Sequence, residues 1–476
     1  MKAVRLDRPV NPEAAFVALY EDSASAFWLD SSRPGDGARF SFMGDAAGPH
    51  GATISYDVDA HEVTVARDGE EEIRSESIFE YLERELARLR PSAAELPFDF
   101  DCGFAGYLGY ELRADCGAGR GPRSPLPDAA FVRAGRMIAC DHEQGHTYLL
   151  GLEGDGDEGE LAAWIGATAA ALAALPTPPA PLPAATGVEF RFARSPQRYL
   201  ADIAACEREL LEGNSYELCL TNSIEAEVET APLDLYRRLR RLNPAPFASY
   251  LRFGDLAVLS SSPERFLRVD RDGGVEAKPI KGTARRGDTP AEDERLAAAL
   301  RDSEKNRSEN LMIVDLLRND LGSVCEVGSV EVPVLMEVET YATVHQLVST
   351  VRGKLRPGAG ALDGIRACFP PGSMTGAPKL RTVEILDRLE AAPRGIYSGA
   401  IGYLGLGGGC DLSVTIRTIV LDGSAATVGM GGAIVLQSEA HRELEEAFLK
   451  AQAPIRAIDS SAAEALFSAL QPHFSP

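Results

Sequence analysis

The first 175 residues contain several short stretches in which apolar and polar positions alternate, as they do in half-buried β-strands. Two of these stretches are ATISYDV at 52–58 and HEVTVAR at 61–67. Residues 77–89, SIFEYLERELARL, repeat apolar positions with helical spacing, and residues 136–154 read as two strands around a polar turn. The pattern therefore predicts a strand-rich N-terminal part that also contains a helix.

The rest of the chain mixes both patterns. It opens with a predicted helix at 195–214, in which Ser195 is a suitable N-cap, Pro196 the first helical residue and Gly213 the stop. Strand-like stretches, further helical segments and a long closing helix at 438–455 follow. Runs of antiparallel-type strands with interspersed helices predict the α+β class.

The clearest boundary in the chain is LPTPPAPLPAATG at 175–187, which is rich in proline and alanine and carries no charge. Such segments favour extended conformations and act as semi-rigid connectors. We therefore expect a strand-rich N-terminal subdomain at 1–175, a linker at 176–187 and a larger catalytic domain at 188–476.

The net charge of −23 argues against binding to nucleic acid or to anionic membranes, which requires basic patches. An anionic substrate would need a local positive site, which draws attention to individual Lys and Arg residues. No stretch approaches the roughly 18 apolar residues that span a bilayer. No apolar segment follows the first charges, and the eight cysteines are scattered without a CxxC pair. A cytoplasmic protein with reduced thiols is expected.

Two helical segments place carboxylates where a metal ion could bind. Glu443, Glu446 and Lys450 occur at i, i+3 and i+7 of the closing helix and so share one face. Glu309 lies in another helical segment that is otherwise crowded with apolar residues. Charged helix faces are usually only solvated, but carboxylates from two helices with open positions suit Mg²⁺, a hard cation that also binds substrate oxygens.

Glycine clusters and one arginine suggest an anionic ligand. GMGGAIV at 429–435 leads towards the closing helix, and PPGSMTGAPK at 370–379 leads into another helix. Backbone amides in such turns form anion-binding nests, although tight turns alone would also explain the glycines. Arg417 has apolar neighbours and would be costly to bury unless it met a carboxylate. Together these features indicate a small dianionic or dicarboxylate ligand held by one metal ion, one arginine and several backbone amides.

Lys281 follows Pro279-Ile280 and precedes Gly282-Thr283, so a flexible cation lies where the backbone is unusually constrained. Proline fixes its own φ, and glycine lets the chain turn sharply or lets a ligand approach closely. Because lysine is almost never buried without a partner, Lys281 is either a solvated surface charge or a positioned reactive amine. Its local sequence leaves both interpretations open.

Seven short blocks give the sequence a clear resemblance to the chorismate-utilising enzymes. The blocks, in order, are PERFL (263–267), PIKGT (279–283), ENLMIVDLLRNDLG (309–322), VHQLVST (344–350), FPPGSMTGAPK (369–379), SGAIGYL (398–404) and EEAFLK (445–450). The resemblance covers roughly 195–458, and FWLDSSR and RFSFMGD match more loosely in the N-terminal part. It implies two large, mainly antiparallel β-sheets packed as a sandwich, with helices on the outside.

Within this family, Lys281 distinguishes the activities. Members that form anthranilate or salicylate usually have alanine in this loop, whereas members that aminate chorismate at C4 have lysine. The resemblance therefore implies conversion of chorismate and ammonia to 4-amino-4-deoxychorismate, a precursor of p-aminobenzoate and folate. Lys281 would attack C2 covalently, and neighbouring cations or partial desolvation would make it lose its proton easily. Glu264 would be the general acid or base at the departing hydroxyl.

Further roles follow from the same resemblance. Glu309 and Glu446 would hold Mg²⁺ with Glu443 close by, and Lys450 would anchor the metal-bound substrate carboxylate. The other positions expected to bind substrate are Gly282, Thr283, His345, Thr375, Tyr403, Arg417, Gly431 and Gly432.

The sequence departs from the family pattern at three places. Glu217 stands where water-adding relatives carry a lysine, which argues against water as the nucleophile. Asn306 replaces an acidic residue often found one turn before the metal glutamate, so modest metal affinity is expected. WLDSS at 28–32 replaces a tryptophan-binding stretch of feedback-sensitive relatives, so inhibition by tryptophan is not expected.

No cysteine lies in the setting of a glutaminase nucleophile, so ammonia is expected from a separate glutamine amidotransferase subunit or from free ammonium. Two other functions compete with C4 amination. One is formation of anthranilate and pyruvate from chorismate, against which Lys281 argues. The other is a non-catalytic chorismate-binding scaffold that only docks the glutaminase. Five retained residues argue against it: Glu264, Lys281, Glu309, Glu446 and Arg417.

Overall fold

The computed structural model describes residues 1–33, 38–89, 95–154, 158–341 and 344–471. These residues form two large β-sheets that pack face to face, with helices on their outer faces. Neighbouring strands pair in the antiparallel sense, for example β2, Ser25–Asp30, with β13, Phe247–Phe253. The predicted α+β sandwich is confirmed.

The remaining strands have the following bounds. They are β1 Lys2–Leu6, β3 Phe40–Asp45, β4 Ala52–Asp57, β5 Glu62–Arg67, β6 Glu70–Arg74, β7 Gly103–Leu108, β8 Ala129–Ala134, β9 Arg136–Asp141, β10 His146–Gly151, β11 Phe190–Phe192, β12 Glu217–Glu227, β14 Leu256–Ser262, β15 Arg265–Val269, β16 Gly274–Lys278, β17 Ile280–Arg285, β18 Glu331–Thr340, β19 Val344–Lys354, β20 Gly376–Ala377, β21 Ala400–Gly405, β22 Cys410–Val414, β23 Thr418–Asp422 and β24 Ala425–Ile434.

The α-helices have the following bounds. They are α1 Pro12–Tyr20, α2 Ile78–Leu89, α3 Glu158–Ala173, α4 Pro196–Leu211, α5 Pro232–Leu242, α6 Pro290–Asp302, α7 Glu304–Gly322, α8 Ala361–Cys368, α9 Lys379–Glu390, α10 Ala440–Ile458 and α11 Ala462–Leu470. Short 3₁₀ helices occupy Tyr110–Cys116 and Gly372–Met374. No helix among these residues is both long and apolar enough to cross a membrane.

Both sheets draw strands from either side of the proline-rich segment. The first runs β1-β10-β9-β3-β2-β13-β14-β23-β24-β12-β11, with β20 also paired to β12. The second runs β17-β19-β16-β15-β22-β21-β7-β8-β4-β5-β6, with β18 also paired to β19. Early and late strands bond directly at β2–β13 and at β7–β21. The boundary predicted at 176–187 therefore divides the sequence but does not divide the sheets.

The proline-rich segment is held against the body of the protein. Arg238 of α5 donates hydrogen bonds to the carbonyls of Leu182 at 2.6 Å and Pro183 at 3.2 Å. The backbone N–H of Ala185 donates to the carbonyl of Ile458, the last residue of α10, at 3.0 Å. These contacts attach the segment to α5 and to the end of α10.

The two sheets share a buried apolar core. Phe27 and Val258 of the first sheet pack in one cluster with Val132 and Ile401 of the second. The opposite face of the first sheet is covered by α1, α5, α10 and α11, and that of the second by α2, α7 and α8. Burying apolar surface contributes about 25 cal/mol per Å², so each helix is held chiefly by its apolar face.

The helix predicted after Ser195 has the expected ends. The Ser195 side chain accepts a hydrogen bond from the backbone N–H of Arg198 at 3.2 Å, Pro196 is the first helical residue, and Gly213 follows with a φ of +74°. Its buried residues pack against β12, whose first residue is Glu217. Ordinary capping rules thus position the start of β12, where the candidate site lies.

Candidate active site

Lys281 lies on β17, which pairs with β19 through a register shift between Ile280 and Thr283. Gly282 occupies this irregular stretch with a φ of +86°, which glycine adopts without a steric penalty. A Cβ on Gly282 would lie 2.7 Å from the side chain of Asn306 on α7, so the strand packs closely on that helix. Lys281 is only 8% exposed. It is therefore a buried, positioned amine and not a surface charge.

The Lys281 ammonium donates a hydrogen bond to Glu217, with Nζ and Oε1 2.6 Å apart. Glu217 begins β12, which pairs there with β20 and, from the next residue onward, with β24. Its side chain is fully buried, and its second oxygen, Oε2, has no hydrogen-bond partner among the described residues. The pair thus joins two strands that belong to different sheets.

The electrostatic surroundings of Lys281 contradict one expectation. Burial favours the neutral amine, but the carboxylates of Glu217 and Glu309 outweigh this effect and raise the pKa of Lys281 above its ordinary value. We expected cations or desolvation to lower this pKa. That expectation was wrong because the nearest charged neighbours are acids. The resting lysine is an ammonium ion, so it must transfer a proton before it can act as a nucleophile.

Glu264 lies between β14 and β15, close to Lys281. Its carboxylate accepts hydrogen bonds from the Ser373 side chain and from the backbone N–H of Ile280. Burial raises the pKa of Glu264 to about 7, although these hydrogen bonds and the charges of Lys281 and Lys450 oppose the rise. Glu264 therefore carries a proton in a substantial fraction of molecules near neutral pH, as a general acid requires.

Carboxylates from α7 and α10 meet around a lysine. Lys305 Nζ lies 2.5 Å from Glu443 Oε1 and 3.7 Å from Glu309 Oε1. Burial raises the pKa of Glu309 to about 7, with Lys281 and Lys305 opposing the rise. The Lys450 ammonium, 2.8 Å from Glu446, lowers the pKa of that half-exposed carboxyl to about 2. The structure thus brings Glu309, Glu443 and Glu446 to one site.

The end of β24 leaves open space beside this acidic cluster. Lys450 Nζ donates to the Gly431 carbonyl at 3.3 Å. Among the described residues, the atoms within 4 Å of a Cβ on Gly432 would be Glu443 Oε2 and Lys450 Nζ, each at 3.7 Å, whereas a Cβ on Gly431 would lie 2.5 Å from the Leu220 carbonyl. Gly432 therefore leaves room facing the charged groups, and Gly431 is required by the close approach of β12.

Arg417 lies in the bend before β23, with a φ of +54°. Its Nη1 donates to the carbonyl of Lys450 at 3.1 Å, and within the described ranges it forms no ion pair within 4.0 Å. Burial lowers the pKa of its guanidinium, while Tyr397 and Glu446 oppose this effect. The carboxylate that we expected Arg417 to meet is thus not a protein side chain, and the guanidinium can receive one from a ligand.

The acidic cluster fits Mg²⁺ in its chemistry, since its donors are all carboxylate oxygens. One of them, Glu309 Oε1, is buried without a hydrogen-bond partner. However, Lys305 and Lys450 neutralise Glu443 and Glu446, and across the described ranges no three His, Cys, Asp or Glu side chains form a ready-made metal cluster. To bind the cation, Glu443 and Glu446 would have to release their ion pairs with Lys305 and Lys450.

Three predicted substrate-binding residues have other surroundings. Thr283 is exposed. His345 is buried, with one ring nitrogen 2.8 Å from Thr340 Oγ1 and the other 2.9 Å from Asp293 Oδ1. Thr375 is buried and its hydroxyl donates to carbonyls of its own loop. Their part in substrate binding stays a prediction.

Tyr403 lies at a different cavity, of about 400 Å³. Its ring stacks on Phe100 with centroids 4.5 Å apart, and the cavity is also lined by Asp30 and Ser31 of the WLDSS stretch. Its lining shares no residue with the cluster around Lys281. The prediction that Tyr403 joins the chorismate site is therefore wrong, because β21 directs this side chain into the space between the sheets.

Three neighbours of the site were missed in the sequence. Tyr397 packs its ring against Gly429, where a Cβ would lie 2.2 Å from a ring atom, and it interacts electrostatically with Arg417. Lys305 and Ser373 contact the predicted acids directly. The i, i+4 spacing of Lys305 and Glu309 could have indicated from the sequence that Lys305 lies beside the predicted metal-binding acid. The other two contacts depend on sheet packing.

A buried lysine flanked by acids lies beside carboxylates from two helices and an arginine that forms no ion pair within the described ranges. This arrangement defines an enzyme-like site for a small anionic molecule. The family described as chorismate binding enzyme matches residues 26–456. The chain belongs to this family.

Individual relatives carry more specific names. The chain is 50% identical over 456 residues to an aminodeoxychorismate synthase of Streptomyces griseus, covering 94% of this chain and 63% of the relative. It is 43% identical over 461 residues to the chloroplastic aminodeoxychorismate synthase of Arabidopsis thaliana, covering 91% and 50%. The chain thus spans between half and two thirds of the length of these curated relatives.

Among solved structures, the chain resembles anthranilate synthase component I from Streptococcus pneumoniae TIGR4. The TM-score is 0.76 at 29% identity, and the match covers 89% of this chain and 93% of that one. The similarity supports the two-sheet fold. The reaction that the chain catalyses has to be inferred from the residues of the site.

Proposed function

We propose that this chain aminates chorismate at C4, as aminodeoxychorismate synthase component I, in the formation of p-aminobenzoate and folate. The observation that carries the proposal is the burial of Lys281 among Glu217, Glu264 and the helix-borne acids. A lysine that was only a solvent-exposed surface charge would not be enclosed by carboxylates. The 50% identity to a relative named for this activity supports the same reaction.

In the first half-reaction the neutral amine of Lys281 attacks C2 of chorismate. The ring double bonds shift, the bond from C4 to its hydroxyl breaks, and Glu264 gives its proton to the departing oxygen, which leaves as water. Lys281 is then joined to C2 through a positively charged secondary amine. The raised pKa of Glu264 and its hydrogen bonds from Ser373 and Ile280 suit it to this step.

In the second half-reaction ammonia attacks C4 and the double bonds shift back. The bond between C2 and Lys281 breaks, and its electrons return to the lysine as a neutral amine. The product keeps the enolpyruvyl side chain and carries an ammonium group at C4. Arg417, Lys450 and the space beside Gly432 would hold the two substrate carboxylates throughout.

Glu309, Glu443 and Glu446 would hold Mg²⁺, which when bound would neutralise and orient a substrate carboxylate. A glutamine amidotransferase subunit would supply ammonia, since the chain belongs to a chorismate-binding family and none of its eight cysteines lies in the setting of a glutaminase nucleophile. Free ammonium would replace that subunit in an assay.

Product identification tests the proposed function. The purified chain is incubated with chorismate, Mg²⁺ and ¹⁵N-labelled ammonium, and products are separated and weighed by mass spectrometry. We expect 4-amino-4-deoxychorismate with one ¹⁵N atom and no released pyruvate. Direct appearance of fluorescent anthranilate with pyruvate would overturn the proposal in favour of C2 amination. Binding of chorismate without its consumption would indicate the scaffold function.

A further inference from the structure

The contact between Lys281 and Glu217 has a consequence for the reaction. The resting lysine is an ammonium ion, and an ammonium ion has no lone pair with which to attack carbon. Its hydrogen-bond partner is Glu217, at 2.6 Å from Nζ. Glu309 and Cys219 influence Lys281 electrostatically, but the group in direct contact with the reacting nitrogen is the Glu217 carboxylate.

Glu217 is an unusual partner for a purely structural ion pair. It is fully buried, yet only one of its two oxygens is bonded, and Oε2 has no partner among the described residues. A buried carboxylate is stabilised when both oxygens are hydrogen-bonded, and an unbonded one retains the capacity to accept a proton. The arrangement leaves Glu217 with one oxygen whose acceptor capacity is not used within the described residues.

The other acids near Lys281 have different positions. Glu264 is held by Ser373 and by the backbone of Ile280, and in the proposed reaction it must keep its proton for the departing hydroxyl. Glu309 lies on α7 within 3.7 Å of Lys305. Deprotonating the lysine and protonating the leaving group in one step require two carboxyl groups, and Glu217 is the one that touches Nζ.

We infer that Glu217 is a catalytic base that accepts a proton from the Lys281 ammonium and so creates the attacking amine. The inference rests on the proposed C4 amination. Lys281 and Glu217 become a neutral amine and a carboxylic acid, and the amine then bonds to C2. When ammonia has displaced it, the free amine takes the proton back from Glu217. The net change is loss of water, gain of ammonia at C4 and transfer of one proton from Glu264, so atoms and charge balance.

Glu217→Gln tests this role because glutamine keeps the size of the side chain and an oxygen that accepts from Nζ, but it is not a base. We expect kcat for C4 amination to fall by about 10²-fold, with the KM for chorismate changed by less than about 3-fold. Glu217→Asp keeps a carboxylate and should retain at least about ten times the kcat of Glu217→Gln. Glu225→Gln, an exposed position on the same strand, should match the wild type.

A pH profile separates a base from a positioning contact. Without the Glu217 charge, Lys281 would still face Glu309 and Cys219. Its proton would have to leave to solvent, so the kcat of Glu217→Gln should rise with pH across a range where that of the Glu217→Asp variant does not. If Glu217→Gln does not fold, the pH dependence of kcat for Glu217→Asp provides the test. If that kcat rises with pH, as it would if Lys281 lost its proton directly to solvent, the inference is overturned.

Two results would be decisive. A Glu217→Gln enzyme with at least half the wild-type kcat at every pH would overturn the inference, while the wild-type product would still establish C4 amination. If the wild type forms no 4-amino-4-deoxychorismate, the proposed function fails and the inference fails with it. The first result concerns only Glu217, so the two failures are distinguishable.

Discussion

Lys281→Ala should reduce formation of 4-amino-4-deoxychorismate by at least about 10³-fold, because the variant lacks the amine that bonds to C2. The measurement is the initial rate of product formation with chorismate, Mg²⁺ and saturating ammonium. The same substitution removes the partner of the buried Glu217 carboxylate. Breaking such a pair costs roughly 3–5 kcal/mol, so the stability of the variant must be measured alongside its rate.

Lys281→Arg separates chemistry from stability. A guanidinium keeps the positive charge and can still pair with Glu217, but it is never deprotonated and so is not a nucleophile. This variant should fold with a Tm close to that of the wild type and be as inactive as Lys281→Ala. Lys278→Ala is the matched control, since Lys278 ends β16, the strand that precedes β17 in the sequence, and pairs with Glu339 at 2.7 Å, partly exposed. Its rate should stay within about 2-fold of the wild type. A Lys281→Arg enzyme with more than a tenth of wild-type activity would exclude the covalent role.

Glu264→Gln should lower kcat by about 10²- to 10⁴-fold, the usual contribution of a general acid. The wild-type rate should also depend on pH in a defined direction. Burial raises the pKa of Glu264 to about 7, so the carboxyl is protonated below that pH and the rate should decline as pH rises through about 7. The Gln variant lacks the carboxyl that donates this proton, so its rate should not show this decline.

The control for this prediction is Glu337→Gln, an exposed position on β18, which should keep both the rate and the decline. Steady-state rates from pH 5.5 to 9 would show the difference. A Glu264→Gln enzyme that retains the wild-type pH profile would mean that another group protonates the departing hydroxyl.

The sequence predicted the fold class, and it named most of the residues that the structure places around Lys281. Helix ends followed from local capping residues such as Ser195, and the acids of α7 and α10 followed from helical spacing and the family resemblance. Their convergence was predictable because the resemblance covers both helices. The sharing of both sheets by early and late strands was not, since a proline-rich segment reports only local conformation and strand pairing is a long-range property.

The errors at the site have the same origin. Lys281 and Glu217 are 64 residues apart in the sequence. No local sequence pattern therefore indicated the carboxylate that raises the pKa of Lys281. Tyr397 and Tyr403 lie six residues apart in one short stretch. Which of them faces Arg417 depends on how β21 sits between its neighbours, and the structure places Tyr397 there and Tyr403 beside Phe100. Such choices of face are fixed by sheet packing.

The covalent role of Lys281 is tested most directly by the mass of the protein after incubation with chorismate and Mg²⁺ in the absence of ammonia, followed by rapid denaturation. Attack at C2 with loss of the C4 hydroxyl predicts a mass gain equal to chorismate minus one water, located on the peptide that contains Lys281 and absent from Lys281→Arg. An unmodified wild-type lysine under conditions that support turnover once ammonia is added, together with turnover by Lys281→Arg, would contradict it.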